Sequence, residues 1–386
     1  MSRILFIRST PYDEDMNSYN VQGSGIAMAF CRLGHDCDYL NFHKTKEEIR
    51  ILYENNGHKA RLILKNRFRL FRTGICLEIL KEEFLCNYDI VICREYNQIM
   101  THLIAKRHKN TSMYSGPYWN MFMFKPFSIV YDAFFTNKLN NELRCKFVKS
   151  QLAKQYLEKK GYTELIDVGV GLDITRFKGV ECNDTTLELV DYMKENRCLL
   201  YVGTLDSNKN IPFIIEVFDK ILQKDPDIKL VLIGKSKQSL FNKLRGKSNE
   251  SYYADLIKMV PQKVRKKIIH VNRVDNSQLQ FIYPLAKAFI LPSIHEIFGM
   301  VMLEAMYFGA PVITSLNGGS STLIKNNFFG QLIEEYDADL WSRGVIKYLE
   351  DIDYTKKVIS NCKKMIREKY TWDNICMKML LEIEKR

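Results

Sequence analysis

Two glutamates stand out in the stretch "PSIHEIFGMVMLEAMYFGAPVI", residues 292–313: Glu296 and Glu304, with seven residues between them in an otherwise apolar run. Pro292 ends the apolar segment "AFIL", residues 293–297 read as a loop, and Phe298-Gly299-Met300 would open a helix with Glu304 in its second turn. Glu296 on the loop and Glu304 on the helix can then face one crevice, with the N–H groups of the helix start between them. Such an array suits a sugar's hydroxyls at one end, a ribose's at the other and a diphosphate in the middle. The plainer alternative is that Glu296 caps the helix and Glu304 reaches solvent. Apolar residues flank Glu304, however, so a charge there needs a partner.

Ligands of open α/β sheets bind beyond the carboxyl ends of strands, where loops lead into helices. That rule selects the loops at Gly23–Gly25, Gly203–Lys209, Gly234–Lys237 and His295–Met300. In "YVGTLDSNKN" (201–210), Gly203 lets a ligand approach the backbone and Lys209 sets a cation near the next helix start, a combination suited to a diphosphate; a solvated lysine on a turn is the alternative. Gly23, Ser24 and Gly25 can cradle a phosphate, yet they lack the G-x-G-x-x-G spacing and an acid at the end of the second strand, and tight packing would also explain them.

The elements that must position these loops follow from apolar patterning. "SRILFIRS" reads as a buried parallel strand, and "IAMAFCRLGHDCDYL" as a helix stopped at Gly34 before a second strand. Strands are expected at 88–95, 111–116 and 164–173, with a helix over 98–108. From about Phe177 the chain turns polar, which predicts a linker over 179–197. A fresh alternation follows: strand "CLLYVGTL", helix "IPFIIEVFDKILQK", strands "IKLVLIGK" and "KKIIHVNRV", helix "NSQLQFIYPLA", strands "KAFILPS" and "PVITS", and a last amphipathic helix "YTWDNICMKMLLEIEKR". Alternation in both halves argues for two α/β domains with mostly parallel sheets.

Composition narrows the function classes. The 386 residues are too many for one ordinary core, and no apolar run approaches a membrane span. An N-terminus that turns polar early predicts a cytosolic protein. The ten cysteines include no C-x-x-C pair and several lie in apolar runs, which fits a reducing compartment. The seven histidines form no H-x-x-x-H pair, so no protein-bound metal is expected. The net charge is +12, and residues 1–180 carry 27 Lys/Arg against 19 Asp/Glu. Such a balance favours polyanions. Residues 57–74, "GHKARLILKNRFRLFRTG", hold Lys59, Arg61, Lys65, Arg67, Arg69 and Arg72 among apolar residues with no acid. A basic amphipathic stretch can lie on an anionic membrane; an ordinary surface helix or loop is the alternative. Nucleic acid is disfavoured, because the basic residues cluster without a reader motif.

Residues 198–324 resemble the C-terminal domain of retaining glycosyltransferases of the GT-B fold, family 4 (glycosyl transferases group 1). The resemblance is carried by "YVGTLDSNKN", "LVLIGK", "LPSIHEIFGMVMLEAMYFGAPVITSLNGG" and the E-x7-E spacing, and extends to "QGSGIAMAFCRLGHD", "VGVGLDITRF" and "YTWDNICMKML". It implies two Rossmann-like domains facing a cleft: 1–178, joined by a C-terminal helix 371–386 that crosses back, and 198–370 for the donor. It implies that Glu296 holds hydroxyls of the donor sugar and Glu304 the ribose hydroxyls. Backbone N–H groups of Ile297, Phe298, Gly299 and Met300 would meet sugar and diphosphate, Lys209 would neutralise the leaving diphosphate, and the Asn272–Val274 loop would pair with the base. Gly23–Gly25 would approach the donor phosphate from the other domain.

Three departures bear on the site. The family's usual Arg beside the lysine is Thr204 here, a loss that Lys235, Lys237 or Arg273 would have to make good. Ser321 and Thr322 stand where the family often has Pro-Glu. The histidine many relatives carry in the first domain has no counterpart; Arg94, Tyr96, Tyr118 and Trp119 are candidates for an acceptor pocket, or core aromatics. The resemblance implies a metal-independent transfer of a sugar from a nucleotide-sugar donor, a UDP-sugar first, to a glycan or lipid-linked acceptor by front-face attack, in surface polysaccharide or glycolipid synthesis. No separate cofactor is expected, and the location is cytoplasmic, peripheral to the inner membrane face if residues 57–74 dock there. A degenerate relative acting as a binding subunit is the alternative, and a nucleotide-sugar 2-epimerase lacks the acid/base residues it needs.

Overall fold

The computed structural model describes residues 1–10, 12–14, 21–70, 73–122, 125–236 and 252–386. Lys237 and Arg72 lie outside them. The chain divides into two compact units, one of Met1–Asp173 with Lys369–Arg386 and one of Ile174–Glu368.

Strands buried on both faces read as apolar runs, and these runs form the centre of each sheet. The first unit contains β1 (Arg3–Arg8), β2 (Asp36–His43), β3 (Glu48–Asn55), β4 (His58–Asn66), the small pair β5 (Phe68–Leu70) and β6 (Thr73–Ile75), then β7 (Ile90–Arg94), β8 (Thr111–Ser115), β9 (Lys146–Val148) and β10 (Leu165–Asp167). Its eight-stranded sheet has the order β10-β9-β8-β7-β1-β2-β4-β3, parallel except for the β3–β4 hairpin. The second unit contains β11 (Cys198–Val202), β12 (Lys229–Ile233), β13 (Ile268–Val271), β14 (Ala286–Leu291), β15 (Val312–Thr314) and β16 (Gln331–Leu332), in the order β13-β12-β11-β14-β15-β16, all parallel.

Three expectations need correction. Residues 179–197 are not a bare linker: they contain the helix Asp184–Glu195, capped by Asn183, which buries Leu189, Val190 and Met193 in the second unit. "QGSG" does not precede the first helix but is its first turn, since that helix runs Gln22–Arg32. The third concerns residues 57–74. Half of this stretch is β4, an inner strand between β2 and β3, so Leu62, Ile63 and Leu64 are buried in the sheet rather than displayed. Its cations are paired: Arg61 with Asp38 at 2.6 Å, Lys65 with Glu78 at 2.8 Å and Arg67 with Asp13 at 3.0 Å. Leu62, Ile63 and Leu64 are thus withdrawn from the apolar face that the stretch would offer a membrane, while Phe68 is exposed and Phe71 lies outside the described residues.

The last helix, Trp372–Glu384, packs on Gln22–Arg32 within the first unit, tied by Arg32 to Asp373 at 2.6 Å. Small residues make the approach possible. A Cβ on Gly25 would lie 2.6 Å from the Trp372 ring, and one on Gly171 would lie 2.6 Å from the Trp372 backbone.

Candidate functional site

In the second unit, β11 and β12 are each followed by a glycine. Gly203 (φ 153°) and Gly234 (φ 148°) lie so close that a Cβ on Gly234 would meet the Gly203 carbonyl at 1.8 Å. The backbone freedom is thus consumed at Gly234 by the neighbouring loop. After Gly203 the chain is shaped by Asp206, whose carboxylate accepts from the Asn208 and Lys209 N–H groups at 3.1 and 3.2 Å and fixes the tight turn Ser207–Lys209. Thr204 gives its hydroxyl to Asp206 at 3.2 Å.

That turn is fastened to the loop of the first glutamate. Asn208 Nδ2 donates to the His295 carbonyl at 2.8 Å, Asn208 Oδ1 accepts from the His295 N–H at 3.1 Å, and the Asn208 carbonyl accepts from the Ile294 N–H at 2.9 Å. The staple brings the Lys209 ammonium directly onto the Glu296 carboxylate. The sequence singled out both charged residues, but nothing in it marked Asn208 or Asp206 as the parts that hold them together.

The Glu296 carbonyl also accepts from the Gly318 N–H at 3.1 Å, so two helix starts converge on this loop: Met300–Phe308, entered through Gly299 in the left-handed region (φ 75°), and Gly318–Leu323. A Cβ on Gly319 would lie 1.9 Å from the Phe298 carbonyl, so the second start must be glycine. Asn317 holds it in a capping box with Ser320, the paired bonds being 3.0 and 2.8 Å. Asn317→Ala is expected to lower stability by about 1–2 kcal/mol in urea unfolding, with Asp at this position closer to wild type than Ala. Ser321 folds its hydroxyl back on Gly318 and Thr322 is buried.

Glu304 lies on the helix Met300–Phe308 and is 2% exposed. One oxygen accepts from Asn276 Nδ2 at 2.9 Å and the other from the Tyr283 hydroxyl at 3.0 Å, which rules out the solvent-reaching alternative. Burial pushes its pKa up to about 7, against the two hydrogen bonds and the more distant Arg176 charge, which favour the ionised form. The remaining donor candidates are more open. Lys235 is exposed beside Leu205, whose N–H bonds its carbonyl at 2.9 Å, and Arg273 is exposed and paired with Asp275 at 3.2 Å. Arg273 and Val274 line a groove of about 490 Å³ with Asn183, Thr186, Tyr192 and Val271.

In the first unit, Gly23 and Gly25 are buried against rings: a Cβ on Gly23 would meet Tyr39 at 2.2 Å. Packing accounts for both glycines. Ser24 lies in the same uncapped first helical turn. Among the acceptor candidates, Tyr96 is fully buried in a cluster with Tyr131, Leu139 and Tyr162, the core-aromatic alternative of the sequence reading. Tyr118 and Trp119 are half-buried and packed edge to face at 4.6 Å.

Arg94 belongs to a buried ionic cluster at the carboxyl ends of β1, β7, β8 and β9 that sequence reasoning missed. Glu95, in the left-handed region (φ 72°), accepts from Ser115 Oγ and the Gly116 N–H, both at 3.0 Å, and from Lys149 Nζ at 3.1 Å. Arg94 lies 3.4 Å from Glu95 and 3.9 Å from Glu14, and Glu14 is 3.5 Å from Arg8. Burial and the Arg94 charge lower Lys149 to about 8, only partly offset by Glu95. Burial works against ionised Glu95, yet Lys149 and Arg94 hold it below the usual carboxylate value.

Residues 191–365 match the sequence profile of glycosyl transferases group 1. An uncharacterized glycosyltransferase of Methanocaldococcus jannaschii is 32% identical over 181 residues, 47% of this chain and 43% of that protein. A probable sucrose-phosphate synthase of Thermosipho melanesiensis is 26% identical over 247 residues, 62% of this chain and 54% of that one. The chain thus spans about half the length of the curated relatives it matches. Among solved structures, Anabaena Alr3699/HepE in complex with UDP superposes over 100% of both chains with TM-score 0.72 at 14% identity. The trehalose-6-phosphate synthase OtsA superposes over 100% of this chain and 99% of its own with TM-score 0.71 at 11% identity. At these identities the likeness speaks for the fold, GT-B, and for that alone. Residues 191–365 thus resemble glycosyl transferases group 1, and the chain shares its fold with these solved structures.

Proposed function

We propose that this protein transfers a sugar, with retention, from a UDP-sugar to a hydroxyl of a glycan or lipid-linked acceptor, without a resident metal. The observation that carries the reading is the Lys209–Glu296 pair, clamped by Asn208 beside two converging helix starts, with Glu304 buried and doubly hydrogen-bonded on one of them. The support for uridine as the nucleoside is that a solved fold neighbour forms complexes with UDP and with UDP-glucose.

In the reaction, the bond from the anomeric carbon to the β-phosphate oxygen breaks and its electron pair leaves with the diphosphate. The acceptor oxygen forms the new bond on the same face, and its proton passes to the departing phosphate oxygen. Lys209 exchanges its carboxylate partner for the diphosphate, where charge develops, and this frees Glu296 to accept from sugar hydroxyls. The N–H groups at Gly299–Met300 add to the same field. Glu304 accepts from the ribose. Surface polysaccharide or glycolipid synthesis on the cytoplasmic side is the process such an acceptor implies.

A panel of UDP-, GDP- and ADP-sugars tests this. A UDP-sugar at about a hundred times its Kd should raise the melting temperature by about 3 °C and be hydrolysed slowly. Stabilisation by none of them would remove the donor reading. Stabilisation with neither hydrolysis nor transfer would favour a binding subunit, the reading to which Thr204, a hydroxyl in place of a cation, gives its weight.

A further inference from the structure

The helix Lys125–Glu142 has two apolar sides, and only one is covered. Its inner side places Tyr131, Thr136 and Leu139 in the core of the first unit, each less than 9% exposed. Its outer side shows Ile129, Val130 and Phe134 at 69, 53 and 63% exposure, with Ala133 between them also exposed. A surface helix normally turns polar residues outward, and one that is apolar all round is ordinarily enclosed. Here the outer apolar face spans roughly two turns and then gives way, along the same face, to Asn137 and Lys138.

The charges near that face are mostly basic. From Lys106 to Lys138 the chain contains Lys106, Arg107, Lys109, Lys125 and Lys138 and a single acid, Asp132. Asp132 is neutralised by Lys160. Lys106, Arg107 and Lys109 are exposed just beyond the helix Ile99–Ala105, which packs against Lys125–Glu142. His102, on that neighbouring helix, stacks edge-on against Phe135 at 4.9 Å and feels the charges of both Lys138 and Lys106. Lys106, Arg107, Lys109 and Lys138 are therefore the exposed cations near the apolar strip, and Glu142, the other acid on the helix, lies at its far end, 3.2 Å from His102, whose burial favours the neutral ring.

A second exposed apolar pair, Ile49 and Ile51 on edge strand β3, makes the contrast. It lies among Glu47, Glu48 and Glu54 as well as Arg50, a mixed neighbourhood with no preference for an anionic surface.

We propose that the outer face of Lys125–Glu142 docks on an anionic lipid bilayer, with Ile129, Val130 and Phe134 entering the interface and Lys106, Arg107, Lys109 and Lys138 meeting lipid phosphates. Apolar side chains in a headgroup boundary flanked by cations are how an interfacial helix binds. The geometry is that of a helix lying on the surface. Among the described residues no helix is long and apolar enough to cross a membrane. This inference does not depend on the donor chemistry of the second unit and can fail without it.

The test is flotation of the full chain with vesicles of phosphatidylcholine, alone or mixed with phosphatidylglycerol. The wild type should float with the mixed vesicles and stay behind with phosphatidylcholine alone. Ile129→Ser with Phe134→Ser should lower partitioning at least tenfold, as should Lys106→Ala with Lys109→Ala. Phe68→Ser, at a side chain 69% exposed on β5, should leave it unchanged. All these positions are on the surface, and unchanged circular dichroism and melting would show that the variants fold. The proposal is overturned if the wild type floats with neither vesicle, or if the Ile129/Phe134 variant floats as well as the wild type. It is equally overturned if light scattering finds a dimer that this variant dissociates while the wild type ignores vesicles, because the face would then belong to a second copy of the chain.

Discussion

Lys209→Ala should reduce donor turnover by about a hundred- to a thousandfold, the scale of removing one preorganised group that meets developing charge. Lys209 is held at both ends. Its N–H is fixed by Asp206 at 3.2 Å and its ammonium rests on Glu296, so it enters the reaction with no search for position. The charge on the diphosphate grows as the sugar departs, so kcat and kcat/KM should fall together while the donor's own affinity changes less. Because Thr204 supplies no second cation in this loop, Lys209 is expected to matter more here than where an arginine stands beside it. Lys209→Arg should recover part of the rate, since the charge returns in a bulkier fork, and Lys209→Gln should not. Measuring sugar-nucleotide hydrolysis for the three variants decides it: a Lys209→Ala turnover within a factor of a few of wild type would remove Lys209 from the mechanism.

Asn208 shows where sequence reading stops. Lys209 and Glu296 are recognisable by type and by their place after strands, because a loop beyond a parallel strand is where ligands go. Their contact depends on an asparagine 87 positions from its partner His295, and an asparagine in a turn is too common to be read. The same holds in the first unit. "GHKARLILKNRFRLFRTG" reads as a basic surface stretch because the partners of Arg61, Lys65 and Arg67, namely Asp38, Glu78 and Asp13, lie elsewhere in the chain. The glycines of "QGSG" were weighed between phosphate and packing; Trp372, which explains Gly25, arrives almost 350 residues later. What was legible was the parallel strands of the second unit, whose burial on both faces leaves unbroken apolar runs such as "CLLYV" and "KLVLI". The ionic cluster of Arg8, Arg94, Glu95 and Lys149 is invisible for the opposite reason, since its charges lie at three separate strand ends until the sheet assembles them.

Glu304→Gln should abolish a pH dependence of stability that the wild type carries. The folded protein raises this carboxyl from the ordinary 4.5 to about 7 because burial disfavours its charge. Between those values the folded state binds more protons than the unfolded state, so stability falls as pH rises. The contribution is fully present below the unfolded value and is lost as pH passes through about 7. It amounts to about 3 kcal/mol between roughly pH 4 and pH 8.5. Glutamine keeps the shape and can still accept from Asn276 or Tyr283, so urea unfolding of the variant should lack this slope. Parallel pH profiles for wild type and variant would refute the raised value. The same linkage reaches the nucleotide. Each Glu304 oxygen accepts one bond and has room for another, and ribose hydroxyls donate best to the ionised form. Bound ribose therefore compensates a charge that burial alone disfavours, and UDP should bind more tightly as pH rises toward the folded value and level off beyond it. Titration of the nucleotide's own phosphates cancels when wild type is compared with Glu304→Gln at each pH. A ratio of affinities that does not change with pH would separate Glu304 from the ribose, whatever the unfolding experiment had shown.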